Sequence, residues 1–345
     1  MYQKVNFNLK KLSSFLVPGL VSGLVSGVLA GWYRRIPPFY FYALWPFSLL
    51  FRAVLPLRRY WLSRRQIDFK VPVVVVGNLT VGGTGKTPCV LALTQFFMQQ
   101  GYQPALLTRG YQGTLQRFPH QVSLEDDPRE VGDEPYLLAF RSGVPVIVDP
   151  IRNRGALYAQ SLGATLLISD DGLQHYALKR DIEIVMVDGT RGFGNRCLLP
   201  MGPLREPLSR LNSVDFVWRV GWDMVFKNIV VYPQDQRDQA IPLIEWITQR
   251  ASKASIAVMA GIGHPEQFFN LLRSNGLKDF VSYPFSDHHR YQIQDLQKIP
   301  ASLILMTEKD MVKCREFKDP RVWTVAVTGV LDNTVLARIL KILNK

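Results

Sequence analysis

VVVVGNLTVGGTGKTP runs from Val73 to Pro88. Four valines in a row read as a strand buried on both faces. A glycine-rich turn follows, and Lys86-Thr87 opens a helix. A phosphate loop needs this order: backbone N–H groups free to converge, a helix N-terminus beneath the phosphate, and a lysine that reaches the β/γ oxygens. The pattern G-x-x-x-x-G-K-[ST] is met except at Thr80, which stands where the first glycine belongs. A non-glycine fits at a strand exit when φ stays negative. Thr80, Val81, Gly82, Gly83, Thr84, Gly85, Lys86 and Thr87 are therefore the expected nucleotide cradle, with Lys86 as the cation and Thr87 as a hydroxyl for Mg²⁺. Pro88 is tolerated in the first helical turn, whose N–H groups are unpaired anyway.

Outward from the loop, short apolar runs alternate with amphipathic ones. Strands are expected at Val71–Val76, Ala105–Leu107, Val144–Val148, Thr165–Ser169 and Ile182–Val187, with helices over Gly85–Gln100 and Arg154–Ser161. Further strands are expected at Ala254–Ala260, Leu303–Met306 and Val322–Val327, with helices at Pro265–Ser274 and Asn333–Asn344. Alternation of this kind predicts an α/β fold: a P-loop NTPase-like, mostly parallel sheet covered by helices. The polar stretch YPQDQRDQA, Tyr232–Ala240, reads as a linker or surface loop. The expected division is an N-terminal segment over 1–69, a P-loop core over 70–230, and a second, smaller α/β lobe over 231–345 that closes over the site.

The chain has 345 residues, 47% of them hydrophobic, enough for one large core or two modest ones. Its net charge of +13 is uneven, since +9 falls within residues 1–69, where Asp68 is the one acid. That charge accompanies apolar and aromatic residues, which suits an anionic membrane surface better than nucleic acid. Phe15–Trp32 is an uncharged run of 18 residues. A signal peptide, a short transmembrane helix and an interfacial helix compete for it. The signal peptide is the weakest, because a P-loop needs cytosolic nucleotide. Phe39–Arg65 adds Trp, Tyr and Arg, the residues that settle at headgroup level. The expectation is membrane association on the cytosolic face, against a buried helix pair as the alternative. Cys89, Cys197 and Cys314 show no metal or disulfide spacing.

Companion motifs narrow the chemistry. LLISDDGLQH puts Asp170 and Asp171 at a strand end, where such acids hold Mg²⁺ or cap a helix. VGDEP offers Asp133 and Glu134, either as reacting carboxylates or as a helix N-terminus. DHHRY supplies Asp287, His288 and His289. Zinc lacks a third spaced ligand there, and an Asp–His acid–base dyad fits better. Arg109 in LTRGYQG and Arg205 in LLPMGPLREP either clamp a phosphate or pair structurally. TEKD, Thr307–Asp310, matches the guanine-reading Asn-Lys-x-Asp of GTPases poorly.

Taken together, GNLTVGGTGKTP, LTRGY, GDEP, SDDGLQH, LLPMGPLREP, GIGHPEQFF, PFSDHHRY and TEKDMVK resemble the tetraacyldisaccharide 4′-kinase family, the lipid A 4′-kinases of Gram-negative bacteria. The resemblance covers about Val71 to Lys313. Such kinases usually carry Ser or Thr where Thr80 stands, so that departure belongs to the family. His264 departs from the expected pattern and receives no role. Phe15–Trp32 looks like an addition before the family's basic membrane helix, at roughly Trp45–Arg65.

The resemblance implies transfer of the ATP γ-phosphate to the 4′-hydroxyl of an acylated glucosamine disaccharide 1-phosphate, giving lipid IV-A at the cytosolic face of the inner membrane. It implies ATP and Mg²⁺ as cofactors and anionic inner-membrane lipids as surroundings, with no nucleic acid and no obligate protein partner. Lys86 and Mg²⁺ would neutralise phosphate charge, and Asp133, oriented by His288 or His289, would accept the hydroxyl proton. Thr87, Asp170 and Asp171, with Glu134 or Glu206, would serve the metal, and Arg109, Gln174 and Arg205 the substrate. The rival readings are a membrane-associated P-loop GTPase switch or metallochaperone and, more weakly, a transporter ATPase, which lacks its LSGGQ-type signature.

Overall fold

The computed structural model describes residues 27–28, 31–34, 38–234, 236–251 and 254–343. Most of the uncharged run Phe15–Trp32 lies outside the described residues. The chain groups into two compact units. The smaller gathers described residues up to Arg58 with Leu79–Val81 and Thr190–Arg210. The larger holds Arg59–Asn78, Gly82–Gly189 and the chain from Leu211 onward.

In the smaller unit a little core of Trp32, Phe41 and Met201 is packed by Tyr33, Leu44 and Leu199. The loop around Pro200 is pinned by its backbone. Trp32 Nε1 donates to the Pro200 carbonyl at 3.0 Å, and Ser48 Oγ donates to the Leu198 carbonyl at 3.0 Å. Helix α1, Trp45–Ser63, is preceded by a 3₁₀ turn at Phe39–Leu44. Phe47, Leu50, Val54, Leu57 and Trp61, spaced by three and four, share one face of α1. All five are exposed, Leu57 at 69%. Phe39–Ser63 is long and apolar enough to cross a membrane by length and composition.

The larger unit contains two sheets. The first runs β3-β4-β2-β5-β1-β6-β7: β1 Val73–Gly77, β2 Pro104–Thr108, β3 His120–Gln121, β4 Val146–Val148, β5 Leu166–Asp170, β6 Ile182–Val187 and β7 Phe216–Arg219. Its pairings are parallel except at the β3 edge. Helices α2 (Lys86–Gln99), α3 (Pro128–Val131), α4 (Asp133–Ser142) and α5 (Arg152–Ser161) connect it. Strand β1 is central and buried at every residue, as its valine run requires. The glycine-rich turn therefore leaves the carboxyl end of the sheet, where open α/β sheets bind ligands.

The second sheet runs β11-β10-β12-β13-β8-β9, with β8 Met224–Pro233, β9 Ile241–Pro242, β10 Ile256–Ala260, β11 Val281–Pro284, β12 Leu303–Thr307 and β13 Val322–Leu331. Its helices are α6 (Leu243–Arg250), α7 (Pro265–Ser274), α8 (Ile293–Gln297), α9 (Glu308–Cys314) and α10 (Asn333–Leu343). Strand β8 pairs antiparallel with β13 through Tyr232↔Thr324. The expected division at 230/231 falls inside this strand, and Tyr232 is buried rather than in a linker. Its hydroxyl donates to the buried Glu308 carboxylate at 2.9 Å, which draws the segment inward. The chain passes from one sheet to the other earlier, between Arg219 and Met224. Helix α2 packs against both β1 and β13, and one buried core runs through Val76, Leu93, Leu138, Met259 and Met306.

Candidate active site

The glycine-rich turn is built around α2. Gly85 caps that helix at φ +73, a conformation a Cβ would strain, so the loop turns sharply and Lys86 becomes the first helical residue. Asn78 Nδ2 donates to the Gly82 carbonyl at 3.1 Å and holds the turn closed. Lys86 Nζ lies 3.3 Å from Asn78 Oδ1 and 3.5 Å from Asp171 Oδ1. Gly82 to Thr87 belong to the larger unit, Thr80 and Val81 to the smaller. There Thr80 bridges to Leu204, and Val81 N donates to the Pro203 carbonyl at 2.9 Å. The side-chain hydroxyl of Thr84 is buried and lacks a hydrogen-bond partner among the described residues.

Asp170 closes β5 and is buried. Its Oδ1 also lacks a partner among the described residues. Burial, then Glu134 and Asp171, push its carboxyl up to about 7 against the pull of Lys86 and Arg152. A buried carboxylate with an unmet oxygen beside further acids fits a divalent cation. Among the described residues no three His, Cys, Asp or Glu side chains converge on one metal position. Mg²⁺ takes few protein ligands and keeps waters and phosphate oxygens. Arg152, buried beside these acids, donates to the backbone carbonyl of Asp170 at 3.0 Å.

Asp133 starts α4, as the helix-terminus reading has it. Its Oδ1 accepts from Glu134 N at 2.9 Å, and its Oδ2 stands 3.0 Å from His288 Nδ1. Burial works to raise the Asp133 carboxyl, but the His288 hydrogen bond and the charges of Lys309, His288 and Lys313 outweigh it and hold it down at about 2. An ionised carboxylate only accepts, so Nδ1–H of His288 donates. His288 sits at φ +58, an uncommon backbone for a non-glycine, and this swings its ring onto Asp133.

Other expected residues are placed differently. Of the two histidines offered for the dyad, His288 meets Asp133 and His289 turns to Asp295, with Nε2 3.1 Å from Oδ2. Asp295 belongs to the capping box of α8. Gln174 Nε2 donates to the Asn78 carbonyl at 3.0 Å, bracing the strand exit. Arg109 is exposed just past β2. Arg205 and Glu206 belong to the smaller unit, where Arg205 N donates to the Leu79 carbonyl at 2.6 Å and Glu206 pairs with Arg210 at 3.4 Å.

The motif TEKDMVK contributes more than its sequence promised. Thr307 caps α9. Asp310, the position a guanine-reading motif would use, is fully buried and accepts from Gly261 N at 3.1 Å, Thr307 Oγ1 at 2.7 Å, Tyr291 OH at 3.0 Å and Lys313 Nζ at 3.1 Å. Its four lone-pair sites are taken, and it has none to offer a base. Lys309 Nζ reaches Glu134 Oε1 at 2.8 Å. His264 Nδ1 lies 3.1 Å from Asp188 Oδ2. Gly263 approaches the loop so closely that a Cβ there would stand 2.7 Å from Gly83 N.

Two cavities lie among these residues. One, of about 210 Å³, is lined by Gly83 to Pro88, Glu134, His264, Phe268 and Lys309. The other, of about 490 Å³, is lined by Asp133, His288, Arg129, Arg290 and Lys313. The P-loop cavity and the dyad cavity are thus neighbours, divided by Asp133–Glu134 on α4 and by His288 and Lys309.

The sequence profile of the family described as Tetraacyldisaccharide-1-P 4'-kinase (LpxK) matches residues 40–344. The chain belongs to this family. Among similar proteins, the tetraacyldisaccharide 4'-kinase of Psychromonas ingrahamii is 42% identical over 86% of this chain and 93% of its own length. That of Nitrosococcus oceani is 42% identical over 91% of this chain and 93% of its own. The crystal structure of an "apo"-form LpxK from Aquifex aeolicus in complex with ATP superposes with a TM-score of 0.72 at 27% identity, covering 88% of this chain and all of that one. Membership accords with the α/β fold expected from the P-loop.

Proposed function

We infer that this chain is a kinase that transfers the γ-phosphate of ATP to the 4′-hydroxyl of a tetraacylated glucosamine disaccharide 1-phosphate. The observation that carries the reading is the 3.0 Å contact between Asp133 and His288, where Asp133 directly precedes Glu134 in the lining of the P-loop cavity. ATP occupies the loop, its phosphates over the start of α2. Phosphoryl transfer asks the protein for positioning and charge neutralisation more than for covalent chemistry. Lys86 neutralises phosphate charge. Asp170, Asp171 and Thr87 would hold Mg²⁺, which when bound neutralises charge on the β/γ oxygens. Glu134 and Glu206 are secondary candidates, Glu134 being held by Lys309 at 2.8 Å and Glu206 belonging to the smaller unit. Asp133, with His288 as its hydrogen-bonded partner, takes the acceptor hydroxyl proton as the oxygen attacks.

A tetraacylated lipid stays in its bilayer, so the enzyme must come to it. The exposed apolar face of α1, with Arg58, Arg59, Arg64 and Arg65 at its end, supports attachment to an anionic cytosolic leaflet. The GTPase reading is disfavoured by the buried, saturated Asp310. The deciding experiment incubates purified protein with [γ-³²P]ATP and the disaccharide 1-phosphate in mixed micelles. Label is expected in the lipid. Release of labelled inorganic phosphate with an unlabelled lipid would overturn the reading.

A further inference from the structure

Helix α9 places two lysines one turn apart, Lys309 and Lys313, on the same face. Both point at the start of α4 and the turn that carries His288. Three carboxylates gather there. Lys309 Nζ lies 2.8 Å from Glu134 Oε1 and 3.4 Å from Asp287 Oδ1, and it faces His288 Nε2 at 3.5 Å. Lys313 Nζ lies 3.8 Å from Asp133 Oδ2, while Asp310 Oδ1 and the Gly261 carbonyl fix it at 3.1 Å each. Both ammonium groups are largely buried, at 16% and 11% side-chain exposure, where charge acts strongly.

We propose that Lys309 is a positioning residue for the Asp133–His288 pair, seconded by Lys313, and that this is the task of the TEKDMVK segment. The inference rests on the kinase reading above. The imidazole of His288 lies between two acids, with Asp133 at Nδ1 and Asp287 Oδ1 3.8 Å from Nε2. Asp287, which can only accept when ionised, would compete with Asp133 for the single N–H of a neutral ring. Lys309 counters the second acid. An ammonium has only donors to present, so the Nε2 lone pair faces it and Nδ1–H faces Asp133. One cation thus sets the tautomer and engages both Asp287 and Glu134. Lys313 does the corresponding work on the Asp133 side. Asp310 anchors it and ties it through Gly261 to the 261–264 turn that lies against Gly83. A misplacement of about 1 Å in such a pair costs about 100-fold in rate.

The test uses the full-length protein with ATP and the disaccharide 1-phosphate in mixed micelles. Wild-type transfer is measured first, because its absence would remove the kinase reading itself and the inference with it. Lys309→Met is then expected to lose about 100-fold in kcat, with KM for ATP and for the lipid each within about threefold of wild type. Lys309→Arg keeps the charge and is expected to recover about tenfold of that loss. Circular dichroism and thermal melting are run on each variant, and Lys309→Gln replaces the methionine variant if the latter is unfolded. A folded Met or Gln variant with kcat within about threefold of wild type would overturn the proposal. So would an Arg variant no better than Met, or a loss expressed mainly in KM for ATP, which would make Lys309 a nucleotide-binding group.

Discussion

At the scale of single residues, the 3.0 Å contact between Asp133 and His288 is the one in which the proposed proton transfer would make the two act as a unit. Residues that share one proton-transfer event give non-additive losses. Asp133→Ala is expected to lower kcat by about 10²–10⁴-fold, the usual share of acid–base catalysis. His288→Ala should cost less, and the double variant little more than Asp133→Ala alone. A double-mutant cycle on kcat with the lipid acceptor measures this, and additive losses would place the base elsewhere. His289→Ala should leave kcat close to wild type, because its ring serves Asp295 and the start of α8. A second prediction concerns Arg141, whose guanidinium pairs with Glu308 on α9. Both are buried, and burial already pushes the Glu308 carboxyl up while Arg141 pulls it down. Arg141→Met would leave that carboxylate beside Tyr232 without its cation, and should cost about 3–5 kcal/mol in urea unfolding.

At the scale of elements, α1 is the part whose apolar face the described residues leave bare. A face of Phe47, Leu50, Val54, Leu57 and Trp61 is costly to keep in water and suits a headgroup–acyl boundary. Leu50→Glu with Leu57→Glu should release the protein from anionic vesicles in a sedimentation assay, while ATP affinity stays unchanged. Wild-type binding should weaken with salt, since its arginines act through a screened surface potential. Persistent sedimentation of the double variant at low salt would locate the attachment elsewhere. Most elements were legible from periodicity: β6 at Ile182–Val187 and α7 at Pro265–Ser274 lie where their apolar patterns put them. Strand β8 was not, because its exposed Lys227 and Asn228 break the apolar run and its end at Tyr232–Pro233 runs into a polar stretch that resembles a loop. Burial of Tyr232 depends on Glu308, 76 residues away, which no local window contains.

At the scale of the molecule, the P-loop cavity is assembled from α2, α4, α7, α9 and the 261–264 turn, elements from both sheets of one compact unit. Nucleotide binding should therefore stabilise that unit as a whole. At about 100 times its dissociation constant, MgATP should add about 2.7 kcal/mol, read as a rise in melting temperature. Lys86→Ala should abolish most of that rise without lowering the melting temperature of the nucleotide-free protein much. An equal rise in the variant would remove Lys86 from the phosphate site.

What the sequence alone determined here is whatever local pattern dictates. The valine run and glycine turn compel a buried strand followed by a helix N-terminus, and β1, Gly85 and Lys86 have that form. The ordered motifs from GNLTVGGTGKTP to TEKDMVK name the family, because so many short signals in one order rarely coincide. Asp133 and the histidines of DHHRY were visible as residue types suited to proton transfer. Which histidine meets Asp133 was decided only by the fold, through the left-handed backbone at His288 and the side-chain partner offered to His289. The lysines of α9 likewise showed only their four-residue spacing. Their carboxylate partners lie on α4 and in the 287–288 turn, 175 residues away in the case of Glu134. Charge pairing acts through a few ångströms of low-dielectric interior, and only tertiary packing brings those groups that close.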